Sequence, residues 1–213
     1  MKFLNLLFLI VFIYFSFGCN QYQQNDQGFV DLAAAEKASC YYNLDSKGQL
    51  IAWPANSFVN FHFAADFPEA YKDRLREVAS VWKNSRGESI IKFSNSPRSS
   101  SSSQSDGLNI IYWVDDASRF QTNEQGRTIV RSRNSQIIDA DIMVNADSFE
   151  YFIDPPSNGI KVHAPSLMVH EFGHALGLRH IPFQESLMYS HLGFMQIRVE
   201  PQEIDKTALR CKY

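Results

Sequence analysis

The chain has 213 residues, with 20 Lys and Arg against 23 Asp and Glu, for a formal net charge of −3. That balance offers no basic surface to a phosphate backbone, so nucleic-acid binding is not expected. A hydrophobic content of 45% with 17 phenylalanines suffices for a core, and 20% charged residues fit a soluble surface. The length therefore suits one domain plus a targeting segment.

Lys2 precedes an almost unbroken apolar run over residues 3–17, which reads as a signal peptide. The run falls short of the ~20 residues that a membrane-spanning helix needs. Ser16-Phe17-Gly18-Cys19 resembles a bacterial lipoprotein processing box, with Cys19 as the lipidation candidate. Ordinary signal cleavage nearby is the alternative. Residues 1–18 are then the leader, residues 19–39 a polar, Gln/Asn-containing tether, and residues 40–213 the folded domain. Export follows from either reading: to the cell envelope as a lipid-anchored protein, or secreted.

Phe58-Val59-Asn60-Phe61-His62-Phe63 alternates as a strand should. Tyr71, Leu75, Val78, Ala79 and Trp82 mark the buried side of a helix. The serine run within residues 94–107 reads as a surface loop. Residues 108–114 and 137–144 are two further strands. A last helix, around Ile204, Ala208 and Cys211, begins near Pro201. His62 and His163 are most simply structural, as is His191, which is also placed to line a pocket.

The segment from His170 to His180, His-Glu-Phe-Gly-His-Ala-Leu-Gly-Leu-Arg-His, carries the chemistry. His170 and His174 are one helical turn apart, so their imidazoles share a face and can hold one ion. His180, on a continuing helix, would lie about 240° around the axis and about 9 Å along it. It reaches the same ion only if the helix stops and the chain folds back. Gly177 is where that stop is expected, because glycine enters the left-handed conformation at a helix end without a Cβ clash. Val169, Phe172, Gly173 and Leu176 form an apolar stripe about 130° from the histidines, so one side packs on a core while the other opens to a cleft. Pro165 suits the first turn. Three histidines leave one zinc coordination position for water, whereas a closed structural site normally uses four protein ligands. Glu171 is turned off the histidine pair, close enough to act on that water as a base.

At this point the residues resemble the metzincin metallopeptidases, whose long zinc motif is followed by a methionine turn. Ser186-Leu187-Met188-Tyr189 looks like that turn, and its wording and distance are most similar to the matrixins, including small bacterial members. The resemblance implies an α+β, zincin-like fold: a twisted mixed sheet of about five strands with an antiparallel edge strand, an active-site helix, the methionine turn and a C-terminal helix. It implies that Met188 is an apolar floor under the zinc site and not a ligand, with Tyr189 beside it in the turn. Residues 127–131 would be the short edge strand lining the cleft, to which an extended substrate can add. Asp139-Ala140-Asp141-Ile142 resembles the strand preceding the active-site helix in bacterial matrixins. One catalytic zinc ion and a protein or peptide substrate are implied; nothing marks a calcium site, and a monomer is the default.

The chain departs from the matrixins in places. Ser190 stands where they usually carry proline, so side-chain specificity does not transfer. No His-x-Asp pattern marks a second, structural zinc. Tyr189 follows Met188 directly, which argues against a tyrosine ligand. If Cys19 is acylated, Cys40 and Cys211 remain as a disulfide candidate in an oxidising compartment. The rival is an inhibitory thiolate at Cys40, although Ala38-Ser39-Cys40-Tyr41-Tyr42 lacks the family's Arg-Cys-Gly context. The expected activity is zinc-dependent hydrolysis of internal peptide bonds, and the alternative is a lipid-anchored, zinc-containing binding or adhesion protein without activity.

Overall fold

The alternation at residues 58–63 becomes strand β1, Val59–Phe63, in a computed structural model that describes residues 40–95, 105–155 and 159–213. The expected leader, Cys19, the tether at 19–39 and most of the serine run lie outside the described residues. Val59, Phe61 and Phe63 point inward, and Phe58 falls outside the strand with its side chain exposed. Helix α1, Glu69–Ala79, buries Leu75, Val78 and Ala79. Trp82 lies just past the helix end, yet it is fully buried.

Strands β2 (Ile91–Phe93), β3 (Asn109–Val114), β4 (Gly126–Arg133) and β5 (Gln136–Asn145) complete a five-stranded sheet in the order β2-β1-β3-β5-β4. The first four in that order pair in parallel, and β4 runs antiparallel to β5 at the edge. The local reason for the antiparallel pair is the turn between them. Asn134 and Ser135 both take positive φ, 52° and 62°, which suits a two-residue hairpin connection whose twist matches the strands. Arg131 on β4 lies opposite Asp139 on β5 and pairs with both Asp139 and Asp141. Those two acids are buried, so the guanidinium pins the register by compensating charge that would otherwise be stranded.

The principal core lies between the sheet and the helices. The Phe172 ring meets Phe61 at 5.4 Å and Phe93 at 5.9 Å, joining β1 and β2 to the helix that carries the histidines. A smaller apolar layer of Ala64, Ile110, Tyr112, Val114 and Met143 covers the opposite sheet face. Burial on both faces explains why β3 reads as a continuous apolar run and not an alternating one.

Three departures from the sequence reading have physical causes. Strand β2 and the pair β6 (Tyr151–Phe152) and β7 (Val162–His163) were not anticipated, because two or three residues carry no measurable period. The short β6–β7 pair also stands, in chain order, between β5 and the helix that carries the histidines. That helix, α2 (Ala164–Ala175), is buried on almost every side, with only His170 and His174 partly open, so the expected two-faced pattern is much reduced. Leu176 is its C-cap and lies outside the helix.

The last helix, α3 (Glu203–Leu209), begins with a reciprocal cap between Gln202 and Asp205. Cys211, beyond its end, is bonded to Cys40 with the Cα atoms 5.8 Å apart, so Cys40 is not available as a thiolate. Among the described residues no helix is long and apolar enough to cross a membrane.

Candidate metal centre

Helix α2 starts with Pro165 in its first turn, where the missing N–H costs nothing, and presents His170 and His174 one turn apart. It then ends in a Schellman turn. Leu178 N–H bonds Gly173 O at 3.0 Å, Gly177 N–H bonds His174 O at 2.9 Å, and Gly177 takes φ +98°. A Cβ at Gly177 would also stand 2.2 Å from Ile51 O, so glycine is required there by space as well as by φ. The remaining carbonyls are capped by aromatic side chains: Trp53 Nε1 donates to Ala175 O at 2.8 Å, and Tyr213 Oη to Leu176 O at 2.8 Å.

The exit loop is then held against the N-terminal segment. Asn43 N–H bonds Gly177 O at 2.9 Å and Arg179 N–H bonds Tyr41 O at 2.7 Å. These bonds fold the chain back, and His180 arrives at the pair. His174 Nε2 lies 3.0 Å from His170 Nε2 and 3.2 Å from His180 Nε2. The three donor nitrogens all fall within 4.8 Å of one another.

The hydrogen bonds on the far side of two rings fix their chemical form. His170 Nδ1 sits 2.7 Å from Leu187 O, and His174 Nδ1 sits 2.8 Å from Leu178 O. A carbonyl only accepts, so each Nδ1 carries the hydrogen and each Nε2 turns a lone pair inward. Burial, reinforced by the neighbouring imidazoles, holds His170 well below the usual histidine value and His174 at about 4; burial lowers His180 as well. Neutral rings with converging lone pairs repel one another, and a cation among them removes that repulsion. Three nitrogens bound tetrahedrally at about 2.0–2.1 Å would stand about 3.3 Å apart, close to the two contacts seen. The donor set fits a zinc ion.

Glu171 lies off the histidine face and is buried. Burial pushes its carboxyl up to about 7, opposed by a hydrogen bond from Thr128 on β4 and assisted by the nearby Glu124. Met188 is fully buried against the turn between the two helical histidines. A Cβ on Gly173 would stand 2.2 Å from Met188 Sδ, so the glycine inside the motif makes room for the thioether.

The methionine turn is anchored from beyond itself. Asp205 on α3 accepts from Ser186 Oγ–H and, at 3.1 Å, from Leu187 N–H, while Ser186 Oγ accepts from Met188 N–H at 2.9 Å. Arg198 clamps the chain on both sides of the turn by donating to Gln184 O before it and to Tyr189 O and His191 O at and beyond its end, and its guanidinium stands 5.7 Å from the Tyr189 ring centre. Ser190 and His191 are exposed. His163 is a buried helix N-cap bonded to Ser166 Oγ and Ile153 O, so its place is structural.

Sequence reasoning brought together the three histidines, Glu171, Gly177 and Met188, but missed Thr128, Asp205, Arg198, Trp53 and Tyr213. Only Asp205 had a local signal, the cap it forms with Gln202. The others act across more than thirty positions or along irregular chain. A family profile described as matrixin matches residues 53–213. Comparison with curated proteins returned no match.

Proposed function

Since the chain belongs to the matrixins, a family of zinc metallopeptidases, we propose that it is an endopeptidase in which His170, His174 and His180 hold the zinc and Glu171 is the general base. The observation that carries this reading is the convergence of the three Nε2 atoms of His170, His174 and His180, with the buried Glu171 adjoining His170 in the same helix. When bound, zinc supplies Lewis acidity, making water acidic near neutral pH and polarising a carbonyl oxygen.

The chain's own groups supply the rest. Leu187 O and Leu178 O hold the two helical imidazoles in the tautomer that presents Nε2. Glu171 accepts a proton from the attacking water and returns it to the departing amine nitrogen. Strand β4 stands at the sheet edge, and among the described residues no strand pairs with its outer side. That free edge supports an extended substrate adding itself by main-chain hydrogen bonds, which favours a polypeptide over a compact small molecule. Acylation at Cys19, with residues 19–39 as tether, would hold the domain at an envelope membrane as a monomer.

The deciding experiment uses the purified chain and an unstructured protein such as casein. Cleavage should stop with a chelator and return with added zinc. Protein that binds one zinc and yet cuts no member of a broad peptide library would overturn the proposal in favour of a binding role.

A further inference from the structure

Strand β4 sets two small residues, two positions apart on one face, against the Glu171 carboxylate. Thr128 Oγ1 lies 2.6 Å from Glu171 Oε2 and 3.1 Å from Glu171 O. A Cβ built on Gly126 would stand 3.3 Å from Glu171 Oε1 and 3.2 Å from Leu167 Cδ1. Gly126 is not among the glycines with positive φ, so its backbone would accept any residue. What the position requires is room. The strand therefore treats the two carboxylate oxygens differently, giving a hydroxyl to one and a backbone without a side chain to the other.

We propose that Thr128 is a positioning residue for Glu171, holding Oε2 so that Oε1 is the oxygen that exchanges the proton, with Gly126 keeping the space Oε1 occupies. This rests on the endopeptidase reading. The terminal torsion of a glutamate is broad and roughly two-fold, so nothing intrinsic distinguishes its oxygens. A threonine hydroxyl has a single proton, and an ionised carboxylate is a stronger acceptor than the neighbouring carbonyl. Given to Oε2, that proton leaves the Oε1 lone pairs free. When water attacks, its O–H bond breaks and an Oε1–H bond forms, while the water oxygen bonds the carbonyl carbon. When the C–N bond then breaks, the Oε1 proton goes to the amine nitrogen. Thr128 donates to Oε2 throughout and is not consumed. Because β4 is also the free edge, a peptide laid along it bears on the strand that aligns the base, so docking and alignment are coupled.

The test compares T128V, which keeps the shape without the hydroxyl, with T128S, which keeps the hydroxyl, in the full zinc-loaded chain. T128V should lower kcat by about 10- to 100-fold, the range for a lost charge-assisted hydrogen bond, with KM and zinc content nearly unchanged. T128S should restore most of the rate. G126A should lower kcat with zinc retained, which gives a second arm if T128V folds poorly. A readout independent of turnover is the infrared antisymmetric stretch of the Glu171 carboxylate, isolated by subtracting the E171Q spectrum under alkaline conditions. T128V should shift that band and T128S should not. Equal impairment of T128S and T128V, an unchanged kcat in T128V or G126A, or an unshifted band would overturn the proposal. Failure of the wild-type chain to cut anything would instead overturn the endopeptidase reading, and the infrared comparison would still decide the Thr128 contact.

Discussion

Asp205, on the last helix, accepts the backbone N–H of Leu187 at 3.1 Å, and the carbonyl of that same leucine meets the His170 ring at 2.7 Å. A buried carboxylate near the C-terminus thus orients a proposed metal ligand through one intervening residue. Such outer partners set ring orientation and basicity, and losing one typically costs 10- to 100-fold in metal affinity. Asp205→Ala should weaken zinc retention by about tenfold in a chelator competition. It should also lower the unfolding free energy by about 3 kcal/mol, because Ser186 Oγ and the Leu187 N–H lose a charged acceptor. Retention and stability both equal to wild type would dismiss the linkage.

Glu171→Gln separates metal binding from turnover. The side chain keeps its size, and its carbonyl oxygen still accepts from Thr128, but it no longer takes a proton. Zinc content should stay at one ion per chain while kcat falls by at least about 100-fold. His180→Ala should behave in the opposite sense, losing zinc first, because its ring comes from a loop beyond the helix. Metal analysis alongside a peptide assay distinguishes the two patterns.

The Cys40–Cys211 bond closes a loop of 171 residues. On the chain-entropy account, a closure of that length removes about 5 kcal/mol of freedom from the unfolded chain, although strain and residual structure often reduce the yield. Reduction, or the double change to Ala, should therefore lower the denaturant midpoint substantially. It should also loosen the segment at Tyr41–Asn43 that pins the loop leading to His180, so zinc should dissociate faster. A midpoint shift of less than about 1 kcal/mol equivalent would mean that the bond adds little.

His163 gives a pH dependence that does not require the metal. Burial holds its ring below the ordinary value of about 6.5, partly offset by the hydrogen bond to Ile153 O. Above about 6.5 the ring is neutral in both folded and unfolded chains and contributes no slope. As pH falls below that value the unfolded chain takes up the proton first, so stability declines, by at most about 1.4 kcal/mol per pH unit for one proton. His163→Asn should flatten the stability curve between neutral pH and pH 5 relative to wild type. Parallel curves over that interval would assign the loss to other groups.

The site was legible where its geometry is local. The one-turn spacing of His170 and His174, and the glycine that ends the helix, follow from helical periodicity and from the φ that glycine alone adopts freely. The strands at 58–63, 108–114 and 137–144 were recoverable from short local patterns of apolar residues, by alternation in the first and as a continuous apolar run in the second. Two-residue strands such as β6 and β7 fell below what any period can register. The reason for Gly173 was hidden as well, since its neighbour Met188 lies fifteen positions away.

By itself the sequence determined which groups could meet a metal and where the helix had to stop, because both depend on bonds and angles within a turn or two. Only the folded chain decided which oxygen of Glu171 faces Thr128, how Asp205 steadies His170 through Leu187, and which aromatic side chains cap the helix end. Those outcomes depend on distances between segments far apart in the chain, and such distances exist only after the sheet and helices have packed.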